Sequence, residues 1–158
     1  GMEILYYTRT PLSYTDEKIY DARSVSLQEL LKQSDVISLH SPLTTETKHL
    51  LDESEFSKMK KGAFIINTAR GAVIHEKALI GFLQNGHLGG AGLDVFEFEP
   101  KISEELLNMD NVVLVPHIGT ASYETRKAMA EEAASNINAF FDGKKPPNIV
   151  NEKELISK

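Results

Sequence analysis

The chain has 158 residues, of which 41% are hydrophobic and 25% charged, enough for one globular domain with a sizeable core and no more than one. Its net charge of -6 and pI near 5.4 argue against general attraction to nucleic acid or anionic lipid, and the absence of cysteine excludes disulfides, thiolate catalysis and thiolate metal sites together. There is no charged leader followed by an apolar stretch and no apolar run of about eighteen residues, so neither secretion nor a membrane span is expected and a cytoplasmic location is.

Glu3 to Tyr7 is a compact apolar run that predicts a strand, and a polar loop follows it. Ser26 and Glu29 then form a Ser-x-x-Glu capping box, which predicts a helix over residues 27–33. A second strand starts at Asp35 and ends before Ser41-Pro42, because proline has no N–H to give a ladder. Asp52 and Glu55 make another cap, ahead of a helix over 55–61 that Gly62 is placed to end. "AFIINT" (63–68) is the third strand. Ala78, Leu79, Phe82 and Leu83 recur at helical spacing until Asn85-Gly86, and "GAGLDV" (90–95) is the fourth strand. A short helix over 103–109 leads to the strand "VVLV" (112–115). Thr120 or Ser122 opens a long helix with Met129, Ala133, Ile137, Phe140 and Phe141 on one face, which Gly143 stops. The last fifteen residues, 144–158, are polar and proline-marked and are expected to need an external surface for order. There is no internal repeat and no low-complexity segment.

Strands alternating with helices predict a doubly wound parallel α/β sheet. In such a sheet the C-terminal ends of the strands converge on one edge, where ligands bind. Arg70, Glu99 and His117 each stand just beyond a predicted strand, so an anion-binding arginine, a carboxylate and a histidine are expected in one crevice. The implied chemistry is proton transfer beside a bound carboxylate. Taken singly, an Arg-Gly after a strand is a turn with a salt-bridging arginine, and a Pro-His pair is structural; it is their joint placement that points to a site. His40, His49, His75 and His87 have no partner at metal-ligand spacing, which predicts surface or supporting roles and no metal.

"LHSPLT", "INTARG", "GAGLDVFEFEP", "VPHIG" and "PPNIVN" together resemble the nucleotide-binding half of the D-isomer-specific 2-hydroxyacid dehydrogenases, most closely the glyoxylate and hydroxypyruvate reductase branch, from residue 1 to about residue 151. The resemblance implies an oxidoreductase that moves a hydride between NAD(P)H and a small 2-keto acid, giving the D-2-hydroxy acid. By position, Arg70 grips the substrate carboxylate, Glu99 supports the histidine and His117 exchanges a proton with the substrate oxygen. The chemistry agrees: a guanidinium fork matches a planar carboxylate at two points, and a carboxylate beside an imidazole favours its protonated form and fixes the ring. Asp94 is either a buried structural carboxylate or, as the resemblance has it, a neighbour of the nicotinamide. Pro42, Thr44, Thr68, Ala69, Ile118 and Gly119 match family positions that line the nucleotide.

The cofactor end departs from the family. No Gly-x-Gly-x-x-Gly turn is present, so the Rossmann-like sheet is expected to be incomplete, lacking its first strand and the turn that receives the pyrophosphate. In the order 3-2-1-4-5-6 that strand would lie between Glu3–Tyr7 and "AFIINT", leaving two bare edges and inviting self-association. Where NAD-selective relatives carry an acid after the second strand, this chain has Thr8-Arg9-Thr10, so NADP is favoured over NAD. The expected organisation is a partial nucleotide-binding domain over 1–120 and, over 121–158, a helix and tail that pack on a substrate domain. Expected partners are a small 2-keto or 2-hydroxy acid and either a second copy or the missing half, with no nucleic acid and no membrane. An inactive truncated fragment and a non-catalytic nucleotide-sensing or protein-binding module remain as alternatives.

Overall fold

The computed structural model describes residues 1–152 and divides the chain into two units, Gly1–His117 and Ile118–Lys158. In the first unit the elements run β1 (Ile4–Tyr6), α1 (Tyr14–Tyr20), β2 (Ala22–Ser24), α2 (Leu27–Gln33), β3 (Val36–Leu39), α3 (Glu53–Phe56), β4 (Phe64–Asn67), α4 (Glu76–Gln84), β5 (Gly90–Leu93), α5 (Glu104–Leu107) and β6 (Val112–Leu114). All strand pairs are parallel. They form a two-stranded sheet, β1-β2, and a four-stranded sheet in the order β3-β4-β5-β6. This is the α/β class with parallel strands that the sequence predicts.

The capping residues act where the sequence puts them. Ser26 with Glu29 and Asp52 with Glu55 both close reciprocal capping boxes, and Ser122 rather than Thr120 caps the long helix α6 (Tyr123–Phe141). α3 is shorter than expected: it ends at Phe56, and the chain reaches Gly62 (φ +83°) through turns. The expected polar loop after β1 instead holds α1 and β2. Ser13 caps α1 by accepting from Asp16 N–H, and Asp21 ends it in the left-handed region (φ 48°). Neither α1 nor β2 has an apolar face to announce it, since no residue of α1 is buried.

The core lies on the four-stranded sheet. Ile37 and Leu39 of β3, Ile65 of β4 and Leu93 of β5 are buried with Leu31, Phe56, Leu79 and Leu106 from the surrounding helices. β5 carries glycines because β4 is close: an added Cβ at Gly90 would lie 2.9 Å from the Phe64 ring, and one at Gly92 3.0 Å from Ile66. β4 is paired on both sides, by β3 and β5. The sheet edges are therefore β3 and β6, and the edge expected at "AFIINT" is at Val36–Leu39 instead. That strand buries alternate residues only, as an edge strand can. In the second unit α6 has no buried residue; Ile137, Phe140 and Phe141 are exposed. The predicted tail lies outside the described residues from 153 onward. Among the described residues no helix is long and apolar enough to cross a membrane.

Candidate active site

β4 ends in Asn67, a polar residue 1% exposed at the floor of a tight loop. Its amide nitrogen donates to the Arg70 carbonyl (3.1 Å) and its amide oxygen accepts from Ala69 N–H (3.0 Å), which folds residues 67–70 around one side chain. The Asn67 carbonyl also accepts from Asp94 N–H (2.9 Å), tying this loop to the end of β5. Arg70 is presented at the surface with Nη1 donating to the Ala69 carbonyl (2.6 Å). Gly71 then opens a 3-10 turn (Gly71–Val73) that passes directly against the Phe96–Glu97 peptide: a Cβ at Gly71 would lie 1.9 Å from both the carbonyl carbon and oxygen of Phe96. That close approach brings the arginine loop to the turn that carries the acid.

The turn after β5 is built around Glu99. Its Oε1 accepts from Phe96 N–H (2.9 Å) and its Oε2 pairs with His117 Nδ1 (3.1 Å). His117 follows β6 and Pro116, with its N–H bonded to the Val115 carbonyl (3.1 Å) and its backbone at φ +53°, a left-handed conformation that a residue with a Cβ seldom adopts. Val115 N–H in turn bonds the Leu93 carbonyl of β5 (3.0 Å), so both partners hang from the same two strands. Partial burial would raise the Glu99 carboxyl. That is the largest single effect, but the Phe96 N–H, the hydrogen bond and charge of His117 and the charge of Arg70 together outweigh it and hold the group below the ordinary carboxylate range. His117 and Arg70 thus both bear on Glu99.

Glu99 is stabilised in its ionised form by folding, while in the unfolded chain it titrates normally. Its contribution to stability is present above the ordinary carboxylate pKa and is lost as pH falls through the lowered folded value. Glu99→Gln is therefore expected to flatten the decline of the melting temperature below about pH 4 while changing its slope little near neutrality. Melting curves from neutral to acid pH check this; parallel curves for the two proteins would show that Glu99 is not held by charge.

The other expected positions are spread along the strand ends. Thr8, Arg9 and Thr10 are exposed just after β1. Pro42 and Thr44 follow β3, where Thr44 Oγ1 donates to Glu46 (2.6 Å) and the Pro42 carbonyl accepts from Thr47 Oγ1 (2.6 Å). The Thr44 hydroxyl, together with the Glu46 and Thr45 contacts, lowers the Glu46 carboxyl, and the charge of Arg9 adds to this. Thr68 and Ala69 lie in the arginine loop, Asp94 is buried at the end of β5, and Ile118 and Gly119 begin the second unit. Sequence reading did not single out Asn67 or Gly71, although a polar residue closing an apolar strand was a signal for the first. It singled out Glu99 and gave Glu97 no role. Glu97 turns the other way, toward His49 Nε2 (2.6 Å) and Glu76 N–H (2.9 Å).

Two of the four histidines expected to have surface or supporting roles, with no partner at metal-ligand spacing, come together. His49 and His75 stack with ring centroids 4.7 Å apart, although 26 positions separate them in the chain. The fold joins them because Leu51 and Ile74 form a parallel bridge. His40 pairs with Ser38 (2.8 Å) and His87 with the Met59 carbonyl (3.1 Å), the supporting roles expected of them.

A family model described as "D-isomer specific 2-hydroxyacid dehydrogenase, NAD binding domain" matches residues 1–119. The chain is 52% identical over 157 residues to the glyoxylate reductase of Thermococcus litoralis, covering 99% of this chain and 47% of that protein. Among solved structures, a glyoxylate reductase from Paecilomyes thermophila superposes with a TM-score of 0.89 at 43% identity, over 97% of this chain and 46% of the other. An NADPH-dependent glyoxylate/hydroxypyruvate reductase from Sinorhizobium meliloti, in complex with NADP and malonate, superposes with a TM-score of 0.88 at 35% identity, over 96% and 46%. The chain spans just under half the length of the relatives it matches.

Proposed function

From the premise that this chain belongs to the D-isomer specific 2-hydroxyacid dehydrogenase family, we propose that it supplies the catalytic face of a reductase that converts a small 2-keto acid, of the glyoxylate or hydroxypyruvate type, to the D-2-hydroxy acid. The observation that carries this reading is the Glu99–His117 pair at 3.1 Å with Arg70 close enough to act on Glu99. Arg70 binds the substrate carboxylate at two points and so fixes the adjacent carbonyl. Glu99 holds Nδ1 of His117, which leaves Nε2–H of the protonated ring as the acid for the carbonyl oxygen. A bound nicotinamide supplies the hydride in this chemistry. In the reverse direction the neutral ring accepts the hydroxyl proton at the same nitrogen.

The residues fit a nicotinamide dinucleotide at its two ends. Thr68 and Ala69 lie in the arginine loop with Asp94 beside it, and the exposed Arg9 after β1 offers a cation for a ribose phosphate. This favours NADP, with NAD accepted. For the pyrophosphate the described residues contain no glycine-rich turn. β1 has a neighbour on one side only and so does β3, which supports working in an assembly, either with a second copy or with further polypeptide.

The test is steady-state reduction of glyoxylate and hydroxypyruvate by NADPH and NADH. Arg70→Lys is expected to raise KM and lower kcat together, by about tenfold or more in kcat/KM, because the charge remains and the planar two-point grip does not. Kinetics unchanged within about twofold would remove Arg70 from the site.

A further inference from the structure

His49, Asp52 and His75 meet in the first unit, apart from the residues that act on the substrate. One ligand-type atom from each of the three lies within 4.8 Å of the others. Their backbones are fixed before any ion arrives. His49 N–H bonds the Ala72 carbonyl (2.8 Å), Leu51 N–H the Val73 carbonyl (3.2 Å), and His75 N–H the Leu51 carbonyl (3.0 Å). Asp52 is held besides as the cap of α3, with Oδ1 accepting from Glu53 N–H (2.7 Å). All three side chains are partly exposed, so an ion and a water have access.

The contacts behind these side chains separate this group from a chance pair of ion pairs. Glu97 anchors the His49 ring through Nε2 (2.6 Å), and Glu97 is itself positioned by the Glu76 N–H (2.9 Å). A carboxylate bonded to one ring nitrogen fixes the tautomer and raises the donor strength of the imidazole, the arrangement that supports metal-bound histidines. His75 Nδ1 and Asp52 Oδ1 share a proton at 2.7 Å. A cation entering between them would replace that proton and open the pair to about 3.3 Å, the ligand spacing of a tetrahedral ion with bonds near 2.0 Å. Two imidazoles and a carboxylate, with no thiolate, suit a borderline divalent ion rather than magnesium or calcium, which prefer all-oxygen shells.

We propose that His49, Asp52 and His75 bind a divalent ion of the zinc, cobalt or nickel type, with Glu97 positioning His49 and water completing the shell. The ion would pin the segment before α3 to the one that follows the Arg70 loop, and through Glu97 to the turn that carries Glu99. Its role is to stiffen this corner; it does not touch the substrate.

The experiment uses untagged, metal-stripped protein titrated with cobalt(II), followed by visible absorption and by melting temperature, with zinc as competitor. One equivalent is expected to bind with a micromolar dissociation constant, to give the visible bands of a four- or five-coordinate ion, and to raise the melting temperature. His75→Gln and Asp52→Asn should each weaken binding by about tenfold or more, and Glu97→Gln by about tenfold while leaving the stoichiometry at one. His40→Gln should bind as the parent does. No visible bands at millimolar cobalt would overturn the proposal, and so would binding that survives His49→Gln together with His75→Gln. Should a variant melt early without metal, the His75→Gln and Asp52→Asn proteins provide independent readings of the same site.

Discussion

Gly71→Ala is expected to destabilise the protein by about 3 kcal/mol or more, lower its melting temperature by roughly 10 °C, and abolish reductase turnover. The added Cβ would sit 1.9 Å from the carbonyl carbon and oxygen of Phe96 and 2.5 Å from Glu97 N. These are backbone atoms, so no rotamer change relieves the overlap, and the two segments must part by more than 1 Å, roughly the shortfall from ordinary van der Waals contact. One segment carries Arg70 and the other carries Glu99, whose ionisation already responds to that arginine. Separating them therefore damages stability and site together. Gly81→Ala is the comparison: it lies inside α4, nothing stands within 4 Å of its would-be Cβ, and alanine should stabilise the helix by about 0.5–1 kcal/mol. Melting curves and turnover of the two variants decide the matter. A Gly71→Ala protein as stable and active as its parent would mean that the approach of the two loops is not what builds the site.

His117→Asn is expected to reduce kcat by about 10² to 10⁴, the usual worth of a positioned acid, while the melting temperature stays close to that of the parent. Asparagine is chosen because His117 occupies φ +53°, a region asparagine tolerates better than most residues, so the backbone need not move. It offers a hydrogen bond to Glu99 but no proton to transfer at neutral pH. A loss of less than about tenfold in single-turnover reduction would show that His117 is not the acid. A loss accompanied by early melting would point instead to its role in holding Glu99.

What could be read from the sequence was whatever short-range pattern encodes. Ser26-Glu29 and Asp52-Glu55 are capping boxes whatever the tertiary structure, and apolar runs such as "AFIINT" read as strands from their composition alone. Arg70, Glu99 and His117 were legible because the ends of parallel strands converge, which is a rule of topology rather than of local sequence. α1 and β2 were not, since a helix with no buried residue and a strand of three residues leave no periodic trace. The same limit hid the pairing of His49 with His75. Two loops are joined there by a single bridge between Leu51 and Ile74, and nothing in either segment names the other. The edge position of β3 was likewise a matter of strand order, which the apolar pattern of β4 does not specify.

The first 24 residues contribute no side chain to the buried core, which draws on residues from Leu27 onward. Free energy stored in packing therefore falls almost wholly on the segments bearing Arg70, Glu99 and His117, and almost none on the segment bearing Arg9. Local opening of β1, α1 and β2 is expected to cost less than opening of the sheet beneath Arg70, Glu99 and His117. On the proposed function, the segment that would meet the nucleotide's ribose is thus less anchored in the core than the segments that would do the chemistry. Substitution around Arg9 is therefore expected to cost folding little, whereas substitution at the strand ends that carry Arg70, Glu99 and His117 is expected to disturb the core.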